Sequence, residues 1–206
     1  MPEGMNSYLI PAEECRITTT VSNSRFIAIA ACVTSSDEVR QFLHNIRSEM
    51  PDATHHVYAF RIGYGNSIIE GMSDDGEPSG TAGPPVLAVL RGSRIGDIIV
   101  VVTRYFGGTK LGTGGLVRAY GDAARAVLAA LKTQEKRTRC VVGVEFAYAA
   151  YEAIKRLVAK YEGEIEDESF AGEVTLIVRL PVEHYPAFAQ DIIELTAGQS
   201  QALILS

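Results

Sequence analysis

The chain has 206 residues, of which 47% are hydrophobic and 21% charged, a balance typical of a soluble globular protein with a sizeable core. No apolar run approaches the roughly 20 residues that a membrane helix needs, so no membrane contact is predicted. Residues 1–136 carry 13 Lys and Arg against 14 Asp and Glu, whereas residues 137–206 carry 6 against 11, a net of −5. The last third is therefore a poor candidate for nonspecific nucleic-acid binding, although the first part could carry a local basic patch.

The three cysteines, Cys15, Cys32 and Cys140, are odd in number and widely spaced, without a C-x-x-C pair. This usage favours free thiols in a reducing compartment. The N-terminus has Glu3 where a secretion signal would be basic, and no long apolar run follows it. The sequence therefore predicts a cytoplasmic protein.

The first two thirds of the chain alternate between strand-like and helix-like patterns. In chain order the predicted elements are strands Arg16–Val21 and Arg25–Val33, a helix capped by Ser36 or Asp37 and ended by Pro51, strands His55–Ile62 and Ser67–Met72, a helix over Val86–Leu90, strand Ile98–Tyr105 and helix Thr113–Leu131. Strand Arg25–Val33 is almost entirely apolar, which predicts a central position in its sheet. The run Ser73–Pro85 is a loop by composition.

A polar, charge-dense run, Lys132–Arg139, is the predicted domain boundary, between a first domain of residues 1–136 and a second of residues 137–206. The predicted elements after it are strand Cys140–Tyr148, helix Tyr151–Tyr161, strands Glu164–Ser169 and Val174–Leu180, helix His184–Leu195 and strand Gln201–Leu205. This βαββαβ order is that of a ferredoxin-like domain, so the chain is expected to be an α+β protein.

Five glycines lie within nine residues, Gly107 to Gly115, a segment here called the glycine corner. A glycine loop that enters a helix leaves backbone N–H groups free, and the helix dipole favours an anion there. Thr113 can cap the helix, whose first turn holds no acidic residue.

Arg104, Lys110 and Arg118 add positive charge near the glycine corner. One interpretation is a site for phosphate, including the phosphate of a nucleic-acid backbone. The other is that the glycines only allow a sharp turn and close packing of the helix on the sheet. The segment is neither a Walker loop nor a G-x-G-x-x-G fingerprint.

Asp74, Asp75 and Glu77 place three carboxylates within four residues, here called the acidic loop. They could hold a divalent cation or supply an acid–base pair, but their spacing is not that of an EF-hand. The alternative, which we favour, is that they cap a turn or the next helix, or pair with the cations of the glycine corner. In that case the anion site is partly neutralised.

The adjacent residues His55 and His56 point to opposite faces of a strand and cannot chelate one ion together. We expect one of them to be buried and the other exposed. No Ser–His–Asp grouping stands out in the sequence, and no catalytic residue, metal site or cofactor is predicted.

Two motifs resemble the signature of the IMPACT/YigZ family, DDGEPSGTAG at Asp74–Gly83 and VVTRYFGGTKLGTGGLVRAY at Val101–Tyr120. The earlier segments Ser24–Phe26 and His55–Ala59 match its pattern as well. Two long motifs in the right order make this resemblance specific, and it runs through both halves of the chain.

The resemblance implies an N-terminal α/β sandwich with a sheet and helices on one face, similar to domain IV of elongation factor G, to ribosomal-protein domains and more distantly to GHMP kinases. It also implies a C-terminal ferredoxin-like domain similar to domain V of that factor. In eukaryotes, family members relieve translational arrest by competing for the activator of an initiation-factor kinase. For bacterial members, nucleic-acid or ribosome binding is the usual suggestion.

The family motif, carried over residue by residue, marks His55, Asp74, Asp75, Gly76, Glu77, Arg104, Tyr105, Gly107, Gly108, Lys110, Gly112, Gly114, Gly115, Arg118 and Tyr120. Tyr105 and Tyr120 bracket the glycine corner, and aromatic faces can stack on bases. Core packing is the favoured role for Tyr120, because it lies on the apolar stripe of its helix.

Three hypotheses follow from these observations. The leading one is a cytoplasmic, translation-linked regulatory binding protein that contacts RNA, the ribosome or a ribosome-associated protein through the glycine corner and the acidic loop. The second is a phosphate- or nucleotide-handling enzyme that holds a divalent metal on Asp74, Asp75 and Glu77. The third is a protein–protein adaptor without nucleic-acid contact.

Overall fold

The structure is a computed structural model and describes residues 7–65 and 68–205. These residues form two compact units, one of Tyr8–Lys136 and one that extends from Arg137 towards the C-terminus. Each unit combines helices with a mainly antiparallel sheet, so the predicted α+β class is confirmed. Within the described ranges, no helix is both long and apolar enough to cross a membrane.

Eleven strands and five α-helices make up the described chain. In order they are β1 (Ser7–Pro11), β2 (Cys15–Val21), β3 (Ser24–Cys32), α1 (Ser36–Glu49), β4 (His55–Ile62), β5 (Ile69–Ser73), α2 (Gly83–Arg91), β6 (Ile98–Tyr105), α3 (Gly112–Ala130), β7 (Thr133–Arg137), β8 (Arg139–Phe146), α4 (Tyr151–Lys160), β9 (Glu164–Phe170), β10 (Val174–Pro181), α5 (Tyr185–Leu195) and β11 (Ala202–Ile204). The predicted limits of β4 and β6 are confirmed. Ser67, the predicted start of β5, lies outside the described residues.

The first unit contains a five-stranded antiparallel sheet in the order β2-β3-β6-β4-β5. Helices α2 and α3 pack on one face, against side chains that include Ala28 and Val100, whereas α1 packs on the other, against Ile29 and Val101. The expectation of helices on one face only is therefore wrong. The central strands β3 and β6 are apolar on both faces, and each face has to be covered.

Two predicted helix caps also differ from the structure. Helix α1 is capped by Ser35, whose Oγ accepts a hydrogen bond from the Glu38 backbone N–H at 3.2 Å, rather than by Ser36 or Asp37. Helix α3 has no side-chain cap and begins at Gly112, where φ is +69°. This glycine turns the chain into the helix one residue before Thr113, which consequently lies in the first turn and cannot cap it.

The polar run predicted as a domain boundary contains a strand, β7, which pairs with β1 in a separate two-stranded sheet that was not predicted. Asp97, just before β6, contacts both strands. Its carboxylate accepts hydrogen bonds from the Tyr8 hydroxyl of β1 at 2.8 Å and from Lys136 Nζ of β7 at 2.6 Å. Burial would raise the pKa of the Asp97 carboxyl, but Lys136, the Gly63 backbone N–H and Tyr8 together lower it.

The second unit has the predicted βαββαβ order and a four-stranded antiparallel sheet in the order β11-β8-β10-β9. Alternate residues of β8 and β10, such as Val144 and Leu176, pack against α4 and α5 through Ile154 and Phe188. This is the ferredoxin-like arrangement.

Candidate functional site

Arg104, near the end of β6, is not free to bind a ligand, because it forms a buried ion pair. Its Nη1 lies 2.6 Å from Glu77 Oε1, and the two side chains are only 6% and 4% exposed. Arg104 Nη2 donates to Ser24 Oγ at 3.2 Å, and the Tyr120 hydroxyl donates to the same Glu77 oxygen at 2.8 Å. The acidic loop therefore neutralises one of the three cations predicted at the glycine corner.

Tyr120 is part of the core rather than of an open surface. It is fully buried and packs edge-on against Phe26, with ring centroids 5.3 Å apart. Burial raises the pKa of its hydroxyl, and the hydrogen bond to Glu77 raises it further. Tyr120 is thus a neutral donor that packs helix α3 on the sheet, and its ring cannot stack on a base.

Asp74 caps the start of helix α2. Its Oδ1 accepts hydrogen bonds from the backbone N–H groups of Ala82 at 2.9 Å and Gly83 at 2.8 Å, and its Oδ2 accepts one from Gly80 at 2.9 Å. Burial alone would raise the pKa of the carboxyl, but these three backbone donors lower it. The favoured interpretation, in which the acidic loop caps the next helix, describes this residue.

Asp75 faces helix α1 and not the glycine corner. Its carboxylate lies 2.8 Å from Nη2 of Arg47 and accepts the backbone N–H of His56 at 2.6 Å. Its carbonyl oxygen accepts a hydrogen bond from His55 Nδ1 at 2.8 Å. Gly76 follows with a φ of +86°, which closes the turn. Sequence reasoning missed Arg47, since nothing local links the last turn of α1 to a loop so far along the chain.

His55 and His56 point to opposite faces of β4, as predicted. His56 is buried, as expected, with Nδ1 3.1 Å from Thr103 Oγ1. His55 is partly buried rather than exposed, with Nε2 3.8 Å from Glu77 Oε1. Burial lowers the pKa of His56, which keeps the ring neutral at pH 7. Across residues 7–65 and 68–205, no group of three or more His, Cys, Asp or Glu side chains could hold a metal ion.

Three glycines of the glycine corner have a conformational reason to be glycine. A Cβ on Gly107 would lie 2.1 Å from the backbone of Asn23, so the loop passes the β2–β3 turn only because it lacks a side chain there. Gly108 and Gly112 have positive φ angles, +84° and +69°. Gly114 has neither reason, since a Cβ there would meet nothing within 4 Å. Turn geometry therefore accounts for the glycines of the loop but not for Gly114, in the first turn of α3.

The first turn of α3 is open and carries no compensating negative charge. It has neither a side-chain cap nor an acidic residue, so its backbone N–H groups and the positive end of the helix dipole are unneutralised. Lys110 and Arg118 flank it, are exposed, and have no hydrogen-bond or ion-pair partner in the described part of the chain. A cavity of about 420 Å³ lies beside the turn, lined in part by Gly114, Gly115 and Arg118, and also by Asp122, whose carboxylate is paired with Arg125.

Two aromatic residues lie where β6 leads into the glycine corner. The face of Tyr105 is occupied by the Arg25 guanidinium, 4.3 Å from the ring centroid, and its hydroxyl donates to Asp52 at 3.2 Å. Phe106, which the sequence reasoning did not single out, is 47% exposed, and the Arg104 guanidinium lies 5.5 Å from its ring centroid. The signal that could have identified it is an aromatic residue directly after a buried strand and before a glycine pair.

Each of the two units matches a known protein domain. Residues 22–128 match the Impact N-terminal domain, and residues 144–199 match DUF1949, a domain of unknown function. YigZ of Escherichia coli, an IMPACT family member, is 37% identical over 202 residues, which cover 98% of this chain and 99% of YigZ. An IMPACT family member from Haemophilus influenzae is 35% identical over 95% of each chain.

One crystal structure, described only as that of a hypothetical protein, superposes with a TM-score of 0.79 at 37% identity and covers 98% of both chains. The fold and the corner are thus those of a two-domain protein with an Impact N-terminal domain and a ferredoxin-like second domain. The chain belongs to the IMPACT family. The IMPACT homolog of Dictyostelium discoideum is 38% identical over only 46% of this chain and 28% of its own length.

Proposed function

We propose that the protein is a translation-linked regulatory binding protein that contacts RNA through the glycine corner of its first unit. Membership of the IMPACT family supports the link to translation, because the eukaryotic members of that family are expected to relieve translational arrest. The observation that carries the RNA contact is the pattern of charge pairing. Arg104 is neutralised by Glu77, whereas Lys110 and Arg118 have no acidic partner within the described residues.

Phosphate is the ligand group that suits the open first turn of α3. Unpaired backbone N–H groups at a helix start bind anions, and two flanking cations add charge-assisted contacts. Gly114 presents no side chain above these N–H groups and has no steric reason of its own to be glycine. A backbone that carries successive phosphates can use the helix start, Lys110 and Arg118 together.

Phe106 supports single-stranded RNA over a duplex as the ligand. The residue is 47% exposed and immediately precedes Gly107, so it is adjacent to the cationic part of the surface. Exposed aromatic rings bind bases that have left a helical stack, and such stacking is worth about 1–3 kcal/mol per base. A base on Phe106 with phosphates on Lys110 and Arg118 would use both kinds of contact.

The protein's own groups occupy the carboxylates of the acidic loop, and only Glu77 pairs with a cation near the glycine corner. Asp74 accepts backbone N–H groups, Asp75 pairs with Arg47 and Glu77 pairs with Arg104. The three carboxylates therefore point to three different protein partners. No observation in the described residues favours the enzyme hypothesis over the binding module.

The test is a titration of a fluorescent single-stranded RNA against the full-length protein, followed by anisotropy between about 50 and 200 mM salt. Native affinity should fall steeply with salt, because bound phosphates release counterions. Lys110→Ala and Arg118→Ala should each weaken binding and flatten the salt dependence. Phe106→Leu should weaken binding without changing the salt dependence, because it removes stacking and no charge.

The matched control is Arg94→Ala, which removes an exposed cation of the same unit that also lacks a partner in the described chain. It should retain native affinity. Equal losses in Arg94→Ala and Lys110→Ala would mean that net charge, not the glycine corner, controls binding. Absence of RNA binding by the native protein would leave the adaptor hypothesis in its place.

A further inference from the structure

Three aromatic side chains form a cluster in the second unit, in which Tyr148 and Phe170 are exposed and Tyr151 is partly buried. Phe170 ends β9, and its ring centroid lies 6.2 Å from that of Tyr148 and 5.5 Å from that of Tyr151, at the start of α4. Tyr148 and Phe170 are 52% and 53% exposed. Large apolar groups that are exposed next to one another mark interaction surfaces, unlike single exposed residues.

The two tyrosine rings of this cluster are held in place by hydrogen bonds, and Phe170 packs against both. The Tyr148 hydroxyl donates to the carbonyl oxygen of Ala171 at 2.8 Å, and the Tyr151 hydroxyl donates to Glu168 Oε2 at 2.9 Å. Because the rings are already ordered, a ligand that lies against them loses little of its binding free energy to ordering the protein.

Carboxylates surround the cluster in excess over cations. Glu166 pairs with Arg179 at 2.5 Å, but Asp167 and Glu168 of β9 and Glu152 of α4 form no ion pair within the described ranges. Lys155 Nζ lies 5.0 Å from the Tyr151 ring centroid, so one cation of the chain already rests on the cluster. The hydrogen bond to Tyr151 raises the pKa of Lys155, and the charges of Glu152 and Glu168 raise it further, but this one lysine does not balance the carboxylates around it.

We propose that this aromatic–acidic surface, formed by Tyr148, Tyr151, Phe170, Asp167 and Glu168, binds an arginine-rich segment of a partner protein. A guanidinium group can lie on an aromatic face while it donates to a carboxylate, which matches the two components of the surface. Charge complementarity selects this occupant, because residues 137–206 carry 6 basic against 11 acidic residues, a net of −5. The same carboxylates repel a nucleic-acid backbone.

Side chains, and not strand addition, make this contact. Strand β9 is at the edge of its sheet, but its register with β10 shifts between Ile177 and Val178, so that Glu166 forms a bulge. A bulge twists an edge strand away from a further pairing strand. The partner segment is therefore expected to lie across the rings and the carboxylates of β9.

This inference does not depend on RNA binding by the glycine corner, since the two surfaces lie on different units. The probe is a short fluorescent peptide of alternating arginine and glycine, titrated against the full-length protein. The comparison peptide has glutamine in place of arginine. The arginine peptide should bind and the glutamine peptide should not.

Two double variants test the two components of the surface. Tyr148→Leu with Phe170→Leu keeps apolar volume but removes the ring faces. Its affinity for the arginine peptide should fall by about fivefold or more, as expected for lost cation–π contacts. Asp167→Asn with Glu168→Gln removes two charges, keeps a side-chain acceptor for Tyr151, and should weaken binding and its salt dependence.

The controls remove comparable groups elsewhere in the second unit. Leu203→Ala changes a residue of β11 that is 60% exposed, and Glu183→Gln with Glu194→Gln removes two carboxylates in and before α5. Both should bind the peptide as the native protein does. The proposal is overturned if the native protein does not bind the arginine peptide, or if Tyr148→Leu with Phe170→Leu binds it with native affinity. It is also overturned if the Asp167/Glu168 and Glu183/Glu194 double variants lose the same affinity.

Discussion

Arg104 and Glu77 form an ion pair that is almost entirely buried, with Nη1 and Oε1 2.6 Å apart. The pair connects β6 to the acidic loop, so that the two family motifs form one structural unit. Each partner offsets the cost of removing the other from water. Glu77 is therefore the acidic-loop residue that neutralises Arg104, whereas Lys110 and Arg118 have no acidic partner in the described residues.

Removal of Glu77 should destabilise the first unit strongly. Glu77→Ala leaves the Arg104 guanidinium buried and unpaired, which costs about 3–5 kcal/mol of unfolding free energy in comparable cases. Urea denaturation followed by circular dichroism measures it. The control is Arg125→Ala, which breaks an exposed pair with Asp122 and should cost at most about 1 kcal/mol. Similar costs for both variants would contradict the structural role of the buried pair.

The Tyr120 hydroxyl should contribute separately to stability. Tyr120→Phe removes a buried hydrogen bond to a charged acceptor and is expected to cost about 1.5–3 kcal/mol. Tyr105→Phe removes a longer bond, 3.2 Å, to the exposed Asp52 and should change the unfolding free energy by less than about 0.5 kcal/mol. If the two variants unfold at the same urea concentration, the Tyr120 hydroxyl has no special role in the buried network.

Two glycines of the corner should respond in opposite directions to the same substitution. Gly107→Ala forces a methyl group against the Asn23 backbone and should cost about 1–3 kcal/mol or more. Gly114→Ala adds a methyl group in open space within a helix and should stabilise by about 0.5–1 kcal/mol. Melting temperatures of both variants provide the measurement, and a loss of stability in Gly114→Ala would assign that glycine a folding role.

The pH dependence of stability should report on Asp74. Burial alone would raise the pKa of this carboxyl, but three backbone donors lower it below the unfolded value of about 3.9. Its contribution is then fully present above that value and is lost as pH falls through the lower folded pKa. Asp74→Asn should reduce stability at neutral pH and make its fall below about pH 4 shallower. Parallel pH profiles for the two proteins would contradict this cap.

Hydrophobic periodicity was enough to predict the type and position of several strands and helices. Strands β4 and β6 were predicted with their observed limits, because one alternates and the other is a continuous apolar run. Helix α3 was predicted from its apolar stripe, yet its cap was misplaced, since the positive φ of Gly112 is not visible in a hydrophobic pattern. The βαββαβ order followed from periodicity alone.

Contacts between distant parts of the chain could not be predicted in the same way. The pairing of β1 with β7 joins the two ends of the first unit, and the Arg47–Asp75 pair joins elements 28 residues apart. From the sequence, Arg104, Lys110 and Arg118 are three equivalent cations near the glycine corner. They differ only in burial, since Arg104 is buried and the other two are exposed. Arg104 enters the core beside Phe26, and this depends on the packed structure.

The central claim is that Lys110 and Arg118 bind phosphates of RNA, and the slope of log affinity against log salt tests it most directly. For single-stranded RNA each lost phosphate contact reduces the slope by about 0.7, so Lys110→Ala with Arg118→Ala should flatten it by about 1.4. Arg94→Ala should retain the native slope. If the double variant binds the RNA with the native affinity and slope, the glycine corner is not the RNA contact.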